Sequence, residues 1–368
     1  MDNTNQESLR RAPVRVDTYR CLRVRHRASA CTACREACPR QAIALPRGPA
    51  VDAARCIGCG VCAAVCPTEA LALRTTSLAD LLADAGKGEV EFACRRAAGA
   101  RGAQVPCLGY LDAGVLLAAV ANGANVSLEV GPCADCPDRL GLQAAERAVA
   151  ATNAVLAACG DERRIARRRS RAYTAQEGVS RRGLFGLLRR RVQENWDADP
   201  PTPTTPVAKG QAVRAVLTPE RRALLVEAVR RLAAPRRGGL PAAEGTEALP
   251  FYDLTLAPAC DNCGRCLTFC PTGALRLARE PGRAAFTFDG EKCPGCDLCV
   301  AVCPQRALTL TRASALPVPG ASKPLRAGKT VRCEGCGGEF FPRAAERLCP
   351  ACAKKHSLEE AIRRTLFG

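Results

Sequence analysis

Cysteines at regular spacings are the residues of this chain best suited to chemistry. Two stretches towards the carboxyl end repeat the pattern C-x2-C-x2-C-x3-C-P. Four thiolates in this pattern bind a [4Fe–4S] cluster: three lie on a loop around one cube, and the fourth, followed by proline, reaches the neighbouring cube. A zinc site or a disulfide framework is the alternative. The crossed arrangement predicts one ligand set of Cys260, Cys263, Cys266 and Cys303, and another of Cys270, Cys293, Cys296 and Cys299.

A second, less regular copy stands near the amino terminus. Its first ligand position falls on Ala28, and Cys21, seven residues earlier, is the nearby substitute. Without Cys21, the site would hold a [3Fe–4S] or an exchangeable cluster. The same crossed arrangement predicts one set of Cys38, Cys56, Cys59 and Cys62, and another of Cys21, Cys31, Cys34 and Cys66.

The region between the two copies alternates strand and helix patterns, which predicts an α/β layer with parallel strands. Its four cysteines fall at or just beyond predicted strand ends, where loops converge on one site. Four thiolates there would bind a [2Fe–2S] cluster or zinc, or would remain metal-free thiols, redox-active or inert. These residues are Cys94, Cys107, Cys133 and Cys136; the predicted strands are Val90–Ala93, Gln104–Cys107 and Asn125–Val130, and the predicted helices Asp112–Asn122 and Leu140–Cys159.

Two further C-x2-C pairs lie near the carboxyl terminus, twelve residues apart. Such pairs on facing turns form a closed tetrahedral site, which predicts a zinc ribbon; a rubredoxin-like single iron uses the same four thiolates. A closing helix is predicted to begin at a capping box formed by Ser357 and Glu360. The predicted metal ligands are Cys333, Cys336, Cys349 and Cys352.

Composition narrows the class of protein. The chain has 25 cysteines but no apolar leader, so metal sites are favoured over disulfides and a cytoplasmic location is expected. No apolar run is long enough to span a bilayer. The net charge of +18 favours redox partners with acidic docking surfaces, and peripheral association of a basic segment with a membrane is an open alternative. An aromatic content of 4% makes nucleic acid an unlikely ligand, and no dinucleotide or phosphate-binding motif indicates a small-molecule substrate.

The sequence therefore predicts an α+β protein of five segments. Residues 1–20 are expected to form a loose arm. Within the connector, Thr218 is expected to cap a helix that starts at Pro219 and ends near Leu232. The segments are 1–76, a dicluster ferredoxin-like unit; 77–160, an α/β cysteine module; 161–250, a basic, Pro-containing connector with helices; 251–318, a second dicluster unit; and 319–368, a zinc-ribbon-like segment with a helix.

Two resemblances support this division. Tyr19–Thr75 and Phe251–Thr311 each resemble the bacterial two-cluster ferredoxins, which implies that fold and four [4Fe–4S] clusters. Glu91–Arg164 resembles the delta (iron–sulfur) subunit of methyl-viologen-reducing hydrogenases. The second resemblance is carried by Phe92-x-Cys94, Val105-Pro106-Cys107-x-Gly109, Gly123-Ala124-Asn125 and Asp135-Cys136.

The second resemblance departs from its family at two places. Arg95 and Arg96 stand where the family has another cysteine, and Cys133 and Cys136 are spaced C-x2-C instead of C-x4-C. The exact ligand set of the module is therefore open.

These features predict an electron-transfer subunit of an oxidoreductase complex, without a catalytic site of its own. By resemblance, its partner is a hydrogenase, a heterodisulfide-reductase-like enzyme or a formate dehydrogenase. One alternative is a redox- or iron-sensing regulator whose ribbon and basic connector bind nucleic acid. The other is a reductase that uses the middle cysteines as catalytic thiols.

Overall fold

The computed structural model describes residues 12–86, 88–95, 103–131, 133, 136, 138–169, 215–234, 250–317 and 320–367. Most of the expected amino-terminal arm lies outside these ranges. So does most of the basic, Pro-containing connector, at residues 170–214 and 235–249. Among the described residues, no helix has both the length and the apolar character needed to cross a bilayer.

The first unit consists of short helices and two strand pairs around its cysteines. Strand β1 pairs antiparallel with β4, and β2 with β3. The prediction of a loose arm was wrong for β1, because Val14 is buried against the core and pairs with Leu73. The elements are β1 (Val14–Val16), α1 (Leu22–Arg25), α2 (Ala33–Glu36), β2 (Ile43–Ala44), β3 (Ala50–Val51), α3 (Val61–Ala64) and β4 (Leu71–Leu73).

The middle module is a four-stranded parallel sheet with helices, which confirms the prediction of parallel strands. Its strand order is β6-β5-β7-β8. Strand β8 extends the sheet beyond residue 160, where the sequence analysis ended this segment. Its arginine-rich sequence, Ala166–Arg169, concealed an edge strand. The elements are α4 (Leu78–Ala85), β5 (Gly88–Cys94), β6 (Ala103–Val105), α5 (Ala113–Ala121), β7 (Ala124–Val130), α6 (Leu140–Ala158) and β8 (Ala166–Arg169).

One helix of the connector, α7 (Glu220–Ala233), joins the three large units. It packs against α5, which explains why nearly every side chain of that apolar helix is buried. The predicted cap was wrong: Thr218 does not cap α7, and Pro219 holds the N-cap position without a side-chain bond. Glu69 of the first unit replaces it, since its carboxylate accepts from the backbone N–H groups of Glu220 at 2.7 Å and Arg221 at 2.6 Å.

The second unit pairs its first and last ferredoxin strands, as the first unit does. A hairpin of β10 and β11 lies between its cysteine motifs, and β13 adds to this hairpin. The segment that the sequence analysis joined to the ribbon thus contributes a strand to the ferredoxin unit. The elements are β9 (Tyr252–Leu256), α8 (Arg265–Phe269), β10 (Leu275–Glu280), β11 (Arg283–Phe288), α9 (Leu298–Ala301), β12 (Leu308–Arg312) and β13 (Lys323–Lys329).

The carboxyl-terminal segment is a small hairpin followed by one long helix. Strands β14 (Val331–Arg332) and β15 (Glu339–Phe340) pair antiparallel, and α10 spans Pro350–Phe367. The predicted capping box was wrong, because Ser357 lies well inside α10 and its Oγ donates to the carbonyl of Lys354.

Candidate metal centres

Site 2 contains the first three cysteines of the regular amino-terminal motif together with Cys38 of the irregular one. Burial, followed by the charges of Cys38 and Cys56, raises the pKa of Cys59 to about 11. Burial and the other three thiols of the site also raise the pKa of Cys62, at the start of α3. A thiol that is both buried and surrounded by thiols is costly to ionise unless a cation compensates. Site 2 comprises Cys38, Cys56, Cys59 and Cys62.

Site 3 contains the displaced cysteine. Burial, together with Cys66, Cys31 and Cys21, raises the pKa of Cys34 to about 12. Cys21 precedes α1 and is itself close enough to Cys66 and Cys31 for their charges to act on it. The inserted loop, with the α1 turn, thus returns Cys21 to the group that lacks a cysteine at Ala28. Site 3 comprises Cys21, Cys31, Cys34 and Cys66.

The second unit contains two further groups, in the crossed arrangement. Burial and then the charges of Cys260, Cys263 and Cys303 raise the pKa of Cys266 to about 12. In the other group, burial raises the pKa of Cys296 to about 12, with Cys293 and Cys270 adding to the effect. Site 4 comprises Cys270, Cys293, Cys296 and Cys299, and site 5 comprises Cys260, Cys263, Cys266 and Cys303.

Backbone amides point at the sulfurs of the cysteines that precede proline. The Sγ atoms of Cys38, Cys66 and Cys303 each accept from an N–H four residues on, at 3.3, 3.2 and 3.3 Å. Such bonds favour the thiolate and are one of the factors that set a cluster's potential. The donor set and its amides therefore fit a [4Fe–4S] group.

Site 1 gathers the cysteines of the middle module. Burial, followed by the charges of Cys94, Cys59 and Cys133, raises the pKa of Cys107 to about 12. Cys133 is in turn close to Cys94 and Cys136. The site lies at the carboxyl ends of β5, β6 and β7 and at the amino end of α6. Site 1 comprises Cys94, Cys107, Cys133 and Cys136.

A glycine lets α6 approach this site. A Cβ at Gly141 would lie 2.4 Å from the Sγ of Cys107, well inside van der Waals contact. Only glycine therefore permits the first turn of α6 to lie directly against this thiol. Nothing in the local sequence pattern marks Gly141 as a contact of this kind, so its role was not predicted.

The four cysteines of the ribbon form a compact site. The Sγ atoms of Cys333, Cys336, Cys349 and Cys352 all lie within 4.8 Å of one another. Among the described residues, no other group of three or more His, Cys, Asp or Glu ligand atoms is so compact. The Sγ atoms of Cys336 and Cys349 are 3.9 Å apart. Two sulfurs bound to one tetrahedral ion, with metal–sulfur bonds of about 2.3 Å, lie roughly 3.8 Å apart, which is close to this separation.

The electrostatics of the ribbon favour metal binding. Backbone N–H groups, that of Cys349 foremost, lower the pKa of Cys333 to about 6. Hydrogen bonds among the thiols, of which the one with Cys349 has the largest effect, raise the pKa of Cys352 to about 12. One thiol that ionises readily among three close neighbours is a ligand set that fits a single metal ion.

The five cysteine sites and the ribbon follow one another in space. Cys107 of site 1 is close to Cys59 of site 2, and Cys62 of site 2 is close to Cys34 of site 3. In the second unit, Cys299 of site 4 is close to Cys266 of site 5. At the far end, the side chain of Asn262, beside site 5, donates to the ribbon carbonyls of Phe341 and Pro342.

The link between sites 3 and 4 is an apolar contact between the two ferredoxin-like units. Leu22 of the first unit packs against Leu298 and Val302 of the second, and Cys31 and Cys296 border the same cluster. His26 meets Phe269 edge-on, with ring centroids 4.4 Å apart. The two units therefore meet between site 3 and site 4.

The comparisons with known proteins agree with the cysteine geometry. The 4Fe-4S dicluster domain family matches the chain twice, at residues 27–73 and 259–307. The chain thus contains two ferredoxin-like iron–sulfur units, which places it among iron–sulfur electron-transport proteins, and its ribbon cysteines form a group able to bind a metal. Neither match reaches the middle module or the ribbon, so the hydrogenase-subunit resemblance and the zinc assignment stay predictions. No curated protein matches this sequence.

Proposed function

We propose that this chain is a relay that carries single electrons through sites 1 to 5 between a donor and an acceptor enzyme. Sites 2 to 5 would each hold a [4Fe–4S] cluster, and site 1 a [2Fe–2S] cluster. The observation that supports the proposal best is the series of neighbouring cysteine sites across three structural units.

The clusters supply one-electron redox chemistry, because their charge spreads over several metals. The chain's own residues position and shield them. Buried side chains such as Val61 and Leu298 exclude water beside the cysteines, and amides bonded to sulfur support the thiolates. Helix α7 fixes the distance between units, since Arg222 donates to the carbonyls of Gly290 and Glu291 in the second unit and to that of Pro250 just before it.

We assign the ribbon a structural zinc. Its four sulfurs are spaced for one ion, and its contact with Asn262 joins it to site 5. In this proposal the ribbon anchors the end of the relay. The basic surface would dock acidic faces of redox partners, and the resemblance of the middle module makes a hydrogenase, a heterodisulfide-reductase-like enzyme or a formate dehydrogenase the expected partner class.

Metal analysis of the full chain, reconstituted anaerobically with iron and sulfide, tests this assignment. Four clusters of four irons and one of two predict about eighteen iron, with one zinc. The protein should absorb near about 400 nm and show EPR signals on reduction. Absence of both signals would refute the relay.

Two other results would favour the alternatives. Salt-sensitive DNA binding that changes with cluster oxidation would favour a regulator. Loss of disulfide turnover on changing Cys133 or Cys136, with all cluster signals intact, would favour a reductase.

A further inference from the structure

Site 4 has an unusual pair of neighbours, contributed from outside its own ferredoxin-like unit. Arg25 comes from the first unit and Arg222 from the connector helix α7. Both approach the cysteines of site 4 from the face that the second unit presents to the rest of the chain. Two cations from other parts of the chain thus lie near one candidate cluster site.

Arg25 is buried, with 3% of its surface exposed. Its Nη2 donates to the carbonyl of Ala215 at 2.7 Å, and two residues on, the N–H of Leu217 donates to the carbonyl of Pro271, next to Cys270. Its Nε has no hydrogen-bond partner, and within the described part of the chain no carboxylate forms an ion pair with it. Burial lowers the pKa of Arg25, and Cys270 and Cys296 are the groups whose charge opposes this shift.

Arg222 repeats this arrangement on the other side. Its guanidinium is enclosed by three backbone carbonyls at 2.6 to 2.8 Å and lies 4.6 Å from the ring centroid of Phe251. It makes no carboxylate ion pair among the described residues, because Glu291 is engaged by Arg230 and Asp289 by Lys292. Burial lowers the pKa of Arg222 to about 10, and Cys293 is the foremost group that opposes this shift.

A buried cation without a carboxylate partner is costly unless another negative charge is near. A [4Fe–4S] group with four thiolates carries net negative charge and gains one more on reduction. The cations therefore favour its reduced form, and their effect is strong because little water screens them. Burial of the cysteines acts in the opposite direction.

The other sites lack such a pair of cations without carboxylate partners. At site 2, the carboxylates of Asp52 and Asp138 act on Cys56 and Cys59, and the nearby cation, Arg40, is paired with Asp138 at 2.6 Å. At site 3, Arg23 and Glu36 oppose each other beside Cys31. At site 5, Asp261 and Arg265 do so beside Cys263, and Arg326, which donates to the carbonyl of Cys260 at 3.0 Å, is half-buried, so that water screens its charge. At site 1, Glu146 acts on Cys133.

Site 4 also faces one carboxylate. Asp297 lies near Cys293, and burial raises its pKa. Glu291 and Asp289 also act on Arg222, but each is paired with a cation, Arg230 and Lys292 respectively. Two guanidinium groups against one unpaired carboxylate leave a net positive surrounding.

We propose that Arg25 and Arg222 raise the reduction potential of the group bound at site 4, so that the first electron entering the relay comes to rest there. A one-electron donor is oxidised by one electron as the site-4 group is reduced by one, and no bond is made or broken. The inference rests on the proposed function. It makes the junction between the two units the electron store of the relay.

An EPR-monitored redox titration of the anaerobically reconstituted full chain with dithionite tests the proposal. Cys299→Ser identifies the site-4 signal, because loss of a thiolate changes or removes it. In the wild-type chain this signal should be the first to appear as the potential is lowered. In Arg25→Gln and in Arg222→Gln it should appear at a more negative potential, and a signal from another site should precede it in the double variant.

Matched variants separate charge from packing. Arg25→Lys and Arg222→Lys keep the cation and should retain most of the wild-type potential. Arg231→Gln removes an exposed arginine from the same helix, where it pairs with Glu227, and should leave every signal in place. Should Arg222→Gln fail to fold, Arg25→Gln with Arg25→Lys still tests the proposal.

Two results would overturn the inference. A full iron content with an unchanged site-4 potential in Arg25→Gln would refute it and leave the relay intact, as would a wild-type site-4 signal that appears last. A wild-type chain that binds no iron would instead refute the proposed function and, with it, this inference.

Discussion

At the scale of single residues, the first cysteine of the ferredoxin loop is supplied in two different ways. Three of its four ferredoxin loops begin with the expected cysteine, whereas the loop at Ala28 does not. The structure places Cys21 beside Cys66 and Cys31, so the inserted loop restores the group of four. Site 3 therefore depends on a turn that the standard loop does not contain.

Changing Cys21 tests this dependence. Cys21→Ser should lower the iron content by about one atom per chain and give the oxidised protein an EPR signal that the wild-type chain lacks, because site 3 would then hold three irons. Cys159→Ala is the control, since Cys159 ends α6 outside all six cysteine sites. An unchanged iron content and spectrum in Cys21→Ser would show that another group completes site 3.

At the scale of elements, helices are anchored by groups that come from other units. Glu69 caps the amino end of α7, where its negative charge also meets the positive end of the helix dipole. Asp112 pairs with Arg221 at 2.9 Å, which fixes the first turn of α7 to the start of α5. The connector is thus a strut between units over the length of this helix.

Removing the cap should loosen the strut. Glu69→Ala should lower the free energy of unfolding by about 1–2 kcal/mol, because two backbone N–H groups lose a charged acceptor. Glu227→Ala, at an exposed position on the same helix, should change it by less than about 0.5 kcal/mol. Urea unfolding of the holo protein measures both, and equal effects would contradict the role of Glu69.

The contact between α6 and site 1 gives a second prediction at this scale. Gly141→Ala should destabilise the module by about 1–3 kcal/mol and displace Cys107, because the new methyl group has no room. Any metal at site 1 should be lost while the spectra of sites 2 to 5 remain. Gly131→Ala is the matched control, since nothing lies within 4 Å of its Cβ position. Metal analysis and thermal unfolding compare the two, and a fully loaded site 1 in Gly141→Ala would contradict the close approach.

At the scale of the whole molecule, two ferredoxin-like units, a parallel-sheet module and one strut form a single series of sites. The apolar contact of Leu22 with Leu298 and Val302 lies at the centre of that series. Hydrophobic burial there holds the two units together, and Arg25 lies on the same short helix as Leu22. Packing and electrostatics therefore meet at the same junction.

Weakening this contact should affect both units. Leu22→Ala should cost about 2–5 kcal/mol, since Leu22 is 2% exposed and its loss leaves a cavity. Leu366→Ala, which removes an equal side chain that is 67% exposed on α10, should be nearly neutral. Unfolding followed by visible absorbance and by far-ultraviolet circular dichroism would measure the difference, and a neutral Leu22→Ala would contradict a packed junction.

The sequence by itself determined the local features. Cysteine spacing predicted the ligand sets because a cluster imposes fixed offsets on one loop, and the alternation of patterns predicted the parallel strands between Val90 and Val130. It missed the strand at Val14–Val16, the edge strand at Ala166–Arg169 and the cap at Glu69. Each of these depends on a partner distant in the chain, and no local pattern records such a partner.

Only the tertiary structure decided the order of the sites and the charges around them. Cysteine spacing predicts which cysteines bind a common cluster, but it does not say which cluster site lies next to which. The apolar cluster that Cys31 and Cys296 both border, and the two guanidinium groups at site 4, result from packing between units far apart in sequence. Coulomb interactions depend on distance in space and on the exclusion of water, and the fold alone sets both.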